Sequence, residues 1–203
     1  MIMVGGDRTK LGALVALVLV GTLALSGCAE EKSNAAVKGK FPDISLAETK
    51  SPVQFLRNDA ASRIPTSVID SVQETADESV PCLEKSEDPK ETVRSWHSTA
   101  VVTIVSGSAW RVESIVDNLI QSFTDQGWTA RSLGQTADYR SSLLTSTSSL
   151  AELQVIGQRP DKDQTKDSQA ENADTVTVEV EVHGPCVRTD GKGSDEIIKL
   201  EVK

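Results

Sequence analysis

Residues 175–183 read Thr-Val-Thr-Val-Glu-Val-Glu-Val-His. Val176, Val178, Val180 and Val182 occupy every second position, with threonine or glutamate between them. This is the period of a strand that buries one face and leaves the other toward water. Upstream, the polar stretch Pro160 to Asp174 reads as an exposed hairpin loop, and Leu150 to Gln158 reads as the partner strand. Further back, Val112, Ile115, Val116, Leu119, Ile120 and Phe123 recur at helical spacing, and Gly127 stands at the expected C-terminal stop. That helix is framed by a β-branched run, Thr92 to Val105, and by a return strand from Trp128 to Leu133. Residues 134–150 suit either a loop or a strand. Ile198, Leu200 and Val202 alternate with charged residues and predict a last strand. At the other end, Val68, Ile69 and Val72 predict a short helix with Pro65 in its first turn. The expected order is helix-β-α-β-β-β: an α+β fold, one antiparallel sheet of four to five strands with two helices on one face.

The whole chain has 203 residues, with 21 Lys+Arg against 30 Asp+Glu and a net charge of −9. No basic run offsets this balance, so a protein that works by neutralising nucleic-acid phosphates is excluded. The first residues form a unit of their own. Arg8 and Lys10 precede Leu11 to Leu25, an uncharged apolar run of about 15 residues, which suits a signal-peptide core and falls short of the roughly 20 that span a bilayer. It ends in Leu25-Ser26-Gly27-Cys28.

That tetrapeptide resembles the bacterial lipobox. The resemblance implies a diacylglyceryl thioether on Cys28, fatty acylation of the palmitate type, and cleavage between Gly27 and Cys28 by a signal peptidase that reads Leu25, Ser26 and Gly27. Two acyl chains hold a protein stably where one does not. The leader carries Asp7, Arg8 and Lys10, so the remaining chain has 19 basic against 29 acidic residues, or −10. Its own charge does not draw it to an anionic membrane, and the lipid must hold it. The expected organisation is a signal peptide over 1–27, a lipid-modified cysteine with a tether or extended segment over 28–64, and an extracytoplasmic domain over 65–203.

With Cys28 assigned to lipid, Cys82 and Cys186 remain in a compartment where disulfides persist. A bond between them closes about 100 residues and contributes roughly 4–5 kcal/mol in the chain-entropy view. Two free thiols, one of them reactive, are the alternative.

The motifs of zinc proteases, P-loops, dinucleotide-binding turns and serine-hydrolase elbows are all missing from the sequence. The chain has two histidines, His97 and His183, each on an expected strand. Paired across the sheet with Glu179 or Glu181 they would make an acid–base or metal site; two partly exposed strand histidines are the simpler reading. No catalytic residue, metal ligand or cofactor is therefore assigned. Asp161, Asp163 and Asp167 suggest a calcium loop, but Lys166 and Asn172 stand where an EF-hand needs glycine and glutamate. Of the three tryptophans, Trp96 and Trp128 suit core positions, while Trp110, near a helix end, is a candidate partner contact.

The lipobox leader, SPVQFLRNDAASRIP, Val80-Pro81-Cys82, SAWRVESIVDNLIQSFTDQGW and a valine-alternating strand into GPCV are together similar to small cell-envelope lipoproteins of actinobacteria. The resemblance implies a compact α/β domain on the outer face of the cell membrane and brings no catalytic residues. The function expected is a non-enzymatic binding or accessory module, anchored through Cys28 and acting on an envelope protein or ligand. The alternatives are an envelope hydrolase or transferase and a carrier of a hydrophobic ligand.

Overall fold

The structure is a computed structural model that describes residues 41–105, 110–159 and 175–202. The leader, Cys28 and the 160–174 loop lie outside the described residues.

The described residues begin with α1 (Leu46–Ser62) and a single 3-10 turn, then run through β1 (Ile69–Pro81), β2 (Val93–Ile104), α2 (Val112–Thr124), β3 (Thr129–Gln135), β4 (Tyr139–Thr145), β5 (Glu152–Gln158), β6 (Thr177–His183), β7 (Val187–Arg188) and α3 (Asp195–Glu201). The described strands form one antiparallel sheet in the order β1-β2-β6-β5-β4-β3, with β7 paired to the start of β2. This is the expected α+β architecture with its antiparallel sheet and one disulfide, Cys82–Cys186, Cα–Cα 6.0 Å. Among the described residues the sheet has seven strands where four to five were expected.

One face of the sheet is dry. Val178, Val180 and Val182 of β6, Leu153 and Val155 of β5, and Trp96 and Val102 of β2 are fully buried there. Both long helices cover that face. In α1, Arg57 reaches Ser98, and Val53 and Thr49 stand over Gly184. α2 lays Val112 and Val116 against Gly157 of β5. It buries Val112, Ile115, Val116, Leu119 and Phe123, the stripe that its periodicity marks. It stops where expected: Gly127 takes φ +87°, and the Gly127 and Trp128 N–H groups close onto Thr124 O and Phe123 O.

Three expectations are corrected. The stretch 46–62, expected as part of a tether or extended segment, is helix α1, and its Leu46, Val53, Leu56 and Ala60 belong to the core. The helix accommodates Pro52 on an exposed position. A capping box starts α1, with Ser45 Oγ accepting from Glu48 N–H and the Glu48 carboxylate accepting from Ser45 N–H.

The expected first helix around Val68–Val72 is instead the start of β1. Val72 is exposed, so its helical spacing from Val68 and Ile69 marks no buried stripe. The expected last strand is α3. Ser194 caps it, Asp195 and Glu196 sit in its first turn and Lys199 in its last. Its buried residue is Ile197, while Ile198 and Val202, which carried the alternation, are exposed.

Candidate functional site

β2 and β6 pair in a register that sets His97 opposite His183. One step along, Gly184 N–H donates to Trp96 O at 2.8 Å. In an antiparallel ladder hydrogen-bonded and non-hydrogen-bonded pairs alternate, so His97 and His183 form a non-hydrogen-bonded pair, the kind that brings side chains closest. Their rings stack with centroids 4.4 Å apart and planes 11° from parallel. Glu181, two residues before His183, projects to the same face. Its Oε1 lies 2.9 Å from His183 Nε2 and 3.1 Å from His97 Nε2. Thr99 Oγ1 lies 3.0 Å from His97 Nε2.

This cluster stands on the face of the sheet opposite the helices, since it alternates with the buried Val182, Ser98 and Trp96. It is half-buried: side-chain exposure is 16% for His97, 24% for Glu181 and 39% for His183. Hydrogen bonds from His183 and His97 hold the Glu181 carboxyl far below the ordinary glutamate range, against the opposing push of burial. Register extends the row. Glu78 of β1 pairs with His97, and Glu152 of β5 pairs with His183. Across four adjacent strands the outer face therefore reads Glu78, His97, His183, Glu152, with both glutamates exposed.

Sequence reasoning named both histidines and offered Glu179 or Glu181 as partner; the structure brings Glu181 to both rings. What a single strand cannot reveal is the register that stacks them. The alternation placed His183 and Glu181 on the outer face, but nothing in the sequence fixes which β2 residue faces them.

Beneath the helices lies a second polar cluster, one that the sequence did not suggest. Asp77 accepts from Trp96 Nε1 at 2.8 Å, Gln54 Nε2 at 2.6 Å and Ser98 Oγ at 3.1 Å. Arg57, buried, donates to Ser98 and pairs with Glu74 at 2.7 Å. Every member ties α1 to the β1–β2 pair, so the cluster reads as structural.

Two grooves open elsewhere. One of about 320 Å³ lies between the start of α1 and the β4–β5 connection, lined by Ile44, Pro52, Val53, Leu150 and Pro185 among others. The other, of about 270 Å³, is lined by Arg111, Glu113, Asp138 and Arg159 with Val112 and Ala137.

Of the remaining expected residues, Cys82 and Cys186 are joined, and Trp110 is half-buried against the core. Trp96 is fully buried, and Trp128 meets Phe123 edge-on at 5.3 Å. Leu25, Ser26, Gly27 and Cys28 lie outside the described residues, as do Asp161, Asp163 and Asp167. Among the described residues, no helix is long and apolar enough to cross a membrane. Compared with protein-family models, with curated proteins and with solved structures, the chain matches none of them.

Proposed function

We propose that the protein is a lipid-anchored binding or accessory module on the extracytoplasmic face of the cell membrane, without catalysis of its own. The allotment of its cysteines carries this reading. Cys28 closes the sequence that resembles a lipobox, and the other two lie in one disulfide, a bond that persists in oxidising compartments. The binding surface is the apolar groove beside α1. Leu150 on its wall is 64% exposed, and Phe55, one turn beyond Pro52, is 73% exposed. Exposed aromatic and aliphatic groups beside a concavity are what an envelope protein or ligand would grip.

Labelling with a fatty-acid analogue tests the anchor. The wild-type chain takes up label, and Cys28→Ala loses both label and leader cleavage. An alanine variant still cleaved at the same place and still in the membrane fraction overturns the reading. Photo-crosslinking in cells from position 150 then tests the groove, with a single captured species expected.

A hydrolase or transferase is the second reading, favoured by the convergence of His97, Glu181 and His183. The cluster lies on an open sheet face rather than in either groove, which favours the binding module. A carrier that holds a ligand between sheet and helices meets a space filled by Val102, Val116, Val155 and Val180, each fully buried.

A further inference from the structure

The geometry points to a site for one divalent cation of the zinc type on the helix-free face of the sheet, held by Nε2 of His97, Nε2 of His183 and a carboxylate oxygen of Glu181. The inference stands apart from the envelope-anchor reading, since its three ligands are not residues on which the lipid anchor rests.

The three ligand atoms lie within 4.8 Å of one another. Two imidazoles and one carboxylate form a donor set that zinc takes at about 2.0–2.2 Å, with its remaining coordination positions left open. The rings are now nearly parallel, and both Nε2 atoms meet the one Glu181 oxygen, Oε1, as donors to the carboxylate. Rotation of the rings about their Cβ–Cγ bonds turns both toward a common point, and the ion replaces the two Nε2···Oε1 hydrogen bonds. Each neutral ring then carries its proton on Nδ1.

The scaffold favours this exchange. His97, Glu181 and His183 belong to two interior strands, flanked by β1 on one side and β5 on the other. Three residues past His183, Cys186 is bonded to Cys82. The backbone is thus fixed before the ion arrives, and only side-chain torsions need ordering. Glu78 and Glu152 at the ends of the row place two further carboxylates beside the donors, a setting that attracts a cation. The open positions face solvent, where water or a donor group from a bound partner completes the coordination.

The test uses the full chain with Cys28→Ser, which removes the free thiol as a competing ligand, kept in detergent and carrying no histidine tag. Zn2+ is titrated by calorimetry, and both imidazoles are followed by nitrogen-edited NMR. The chain has two histidines, so every imidazole signal belongs to this cluster. The expected result is saturation at one Zn2+ per chain with both rings perturbed together. Nitrogen couplings from two imidazoles are expected when Cu2+ is used as the paramagnetic probe. His97→Ala and His183→Ala are each expected to weaken Zn2+ binding by about 100-fold. The titration of the histidine-containing chain needs neither histidine variant to fold. Absence of saturable binding, Zn2+ uptake that leaves both imidazoles unperturbed, or full affinity in a folded His97→Ala chain would each overturn the site.

Discussion

Trp96 Nε1 donates to Asp77 Oδ1 at 2.8 Å across the β1–β2 pair, beneath α1. The indole is fully buried, and its single polar atom finds its acceptor on the neighbouring strand. Gln54 of α1 donates to the other carboxylate oxygen, so one side chain joins a helix and two strands. Asp77→Ala leaves the indole N–H and the Gln54 amide without this acceptor and removes a negative charge from beside Arg57. The expected loss is about 1–3 kcal/mol, read as a lower urea midpoint with tryptophan fluorescence as probe. Asp77→Asn keeps an oxygen for the indole and is expected to lose less.

The same carboxylate makes stability depend on acid. Burial pushes Asp77 up, but hydrogen bonds from Trp96, Gln54 and Ser98 and the nearby Arg57 charge outweigh it, so its pKa lies below the ordinary aspartate value. Asp88 behaves alike: burial raises it, while the backbone N–H groups of Thr92 and Val93 and the Thr92 hydroxyl bring it lower. A carboxyl whose folded pKa is depressed contributes stability that is fully present above its unfolded value of about 3.9, and that is lost as pH falls through the folded value. Urea unfolding is therefore expected to give a flat stability from neutral pH down to about 5 and a decline below about 4. Asp77→Asn and Asp88→Asn should each make that decline shallower. Equal slopes in wild type and both variants would place the acid sensitivity elsewhere.

The elements that the sequence made legible are those whose burial follows their own period. β6 alternates because it lies inside the sheet with helices on one face only, and α2 shows its stripe because one side of it packs. The misread elements break that link. β1 is an edge strand whose residues from Asp70 to Thr75 are all exposed, so no alternation is imposed on it. α1 buries Thr49 and Arg57 along with its aliphatic residues, and this blurs its apolar stripe. Its start was nonetheless written in Ser45-Leu46-Ala47-Glu48, the capping-box spacing. The start of α3 was likewise marked by Ser194 and two acidic residues, beneath an apolar alternation that imitated a strand. As for the site, its residue types were visible and its assembly was not, because strand register is a property of the pair.

Cys82 follows β1 and Cys186 precedes β7, so their bond ties the sheet edge to the short strand beside β2. It closes a loop with a sequence separation of 104 that holds most of the sheet. Replacing both cysteines by alanine is expected to lower stability by about 3–5 kcal/mol, chiefly by freeing the unfolded chain. The measurement is the urea midpoint of the double variant against the oxidised protein, with far-UV circular dichroism confirming that the variant folds. A midpoint unchanged by the double replacement would show that the loop is constrained by other means.

Two glycines separate close packing from backbone conformation. At Gly157 in β5, a Cβ would lie 2.4 Å from Val116 Cγ2 and 2.8 Å from Val112 Cγ1, so α2 sits on the sheet only because no side chain intervenes. Both valines are β-branched residues in a helix, stiff at χ1, and neither can swing aside easily. Gly157→Ala must therefore lift α2 or shift the strand, at an expected cost of about 1–3 kcal/mol. At Gly127 nothing lies within 4 Å, but φ is +87°, and an alanine there meets only local strain, about 1 kcal/mol. The two variants can be told apart without comparing magnitudes. Replacing Val116 by alanine removes the atom nearest the new Cβ, so it should recover part of the Gly157→Ala loss in a double variant and none of the Gly127→Ala loss. Strictly additive losses at both positions would mean that α2 does not rest on Gly157.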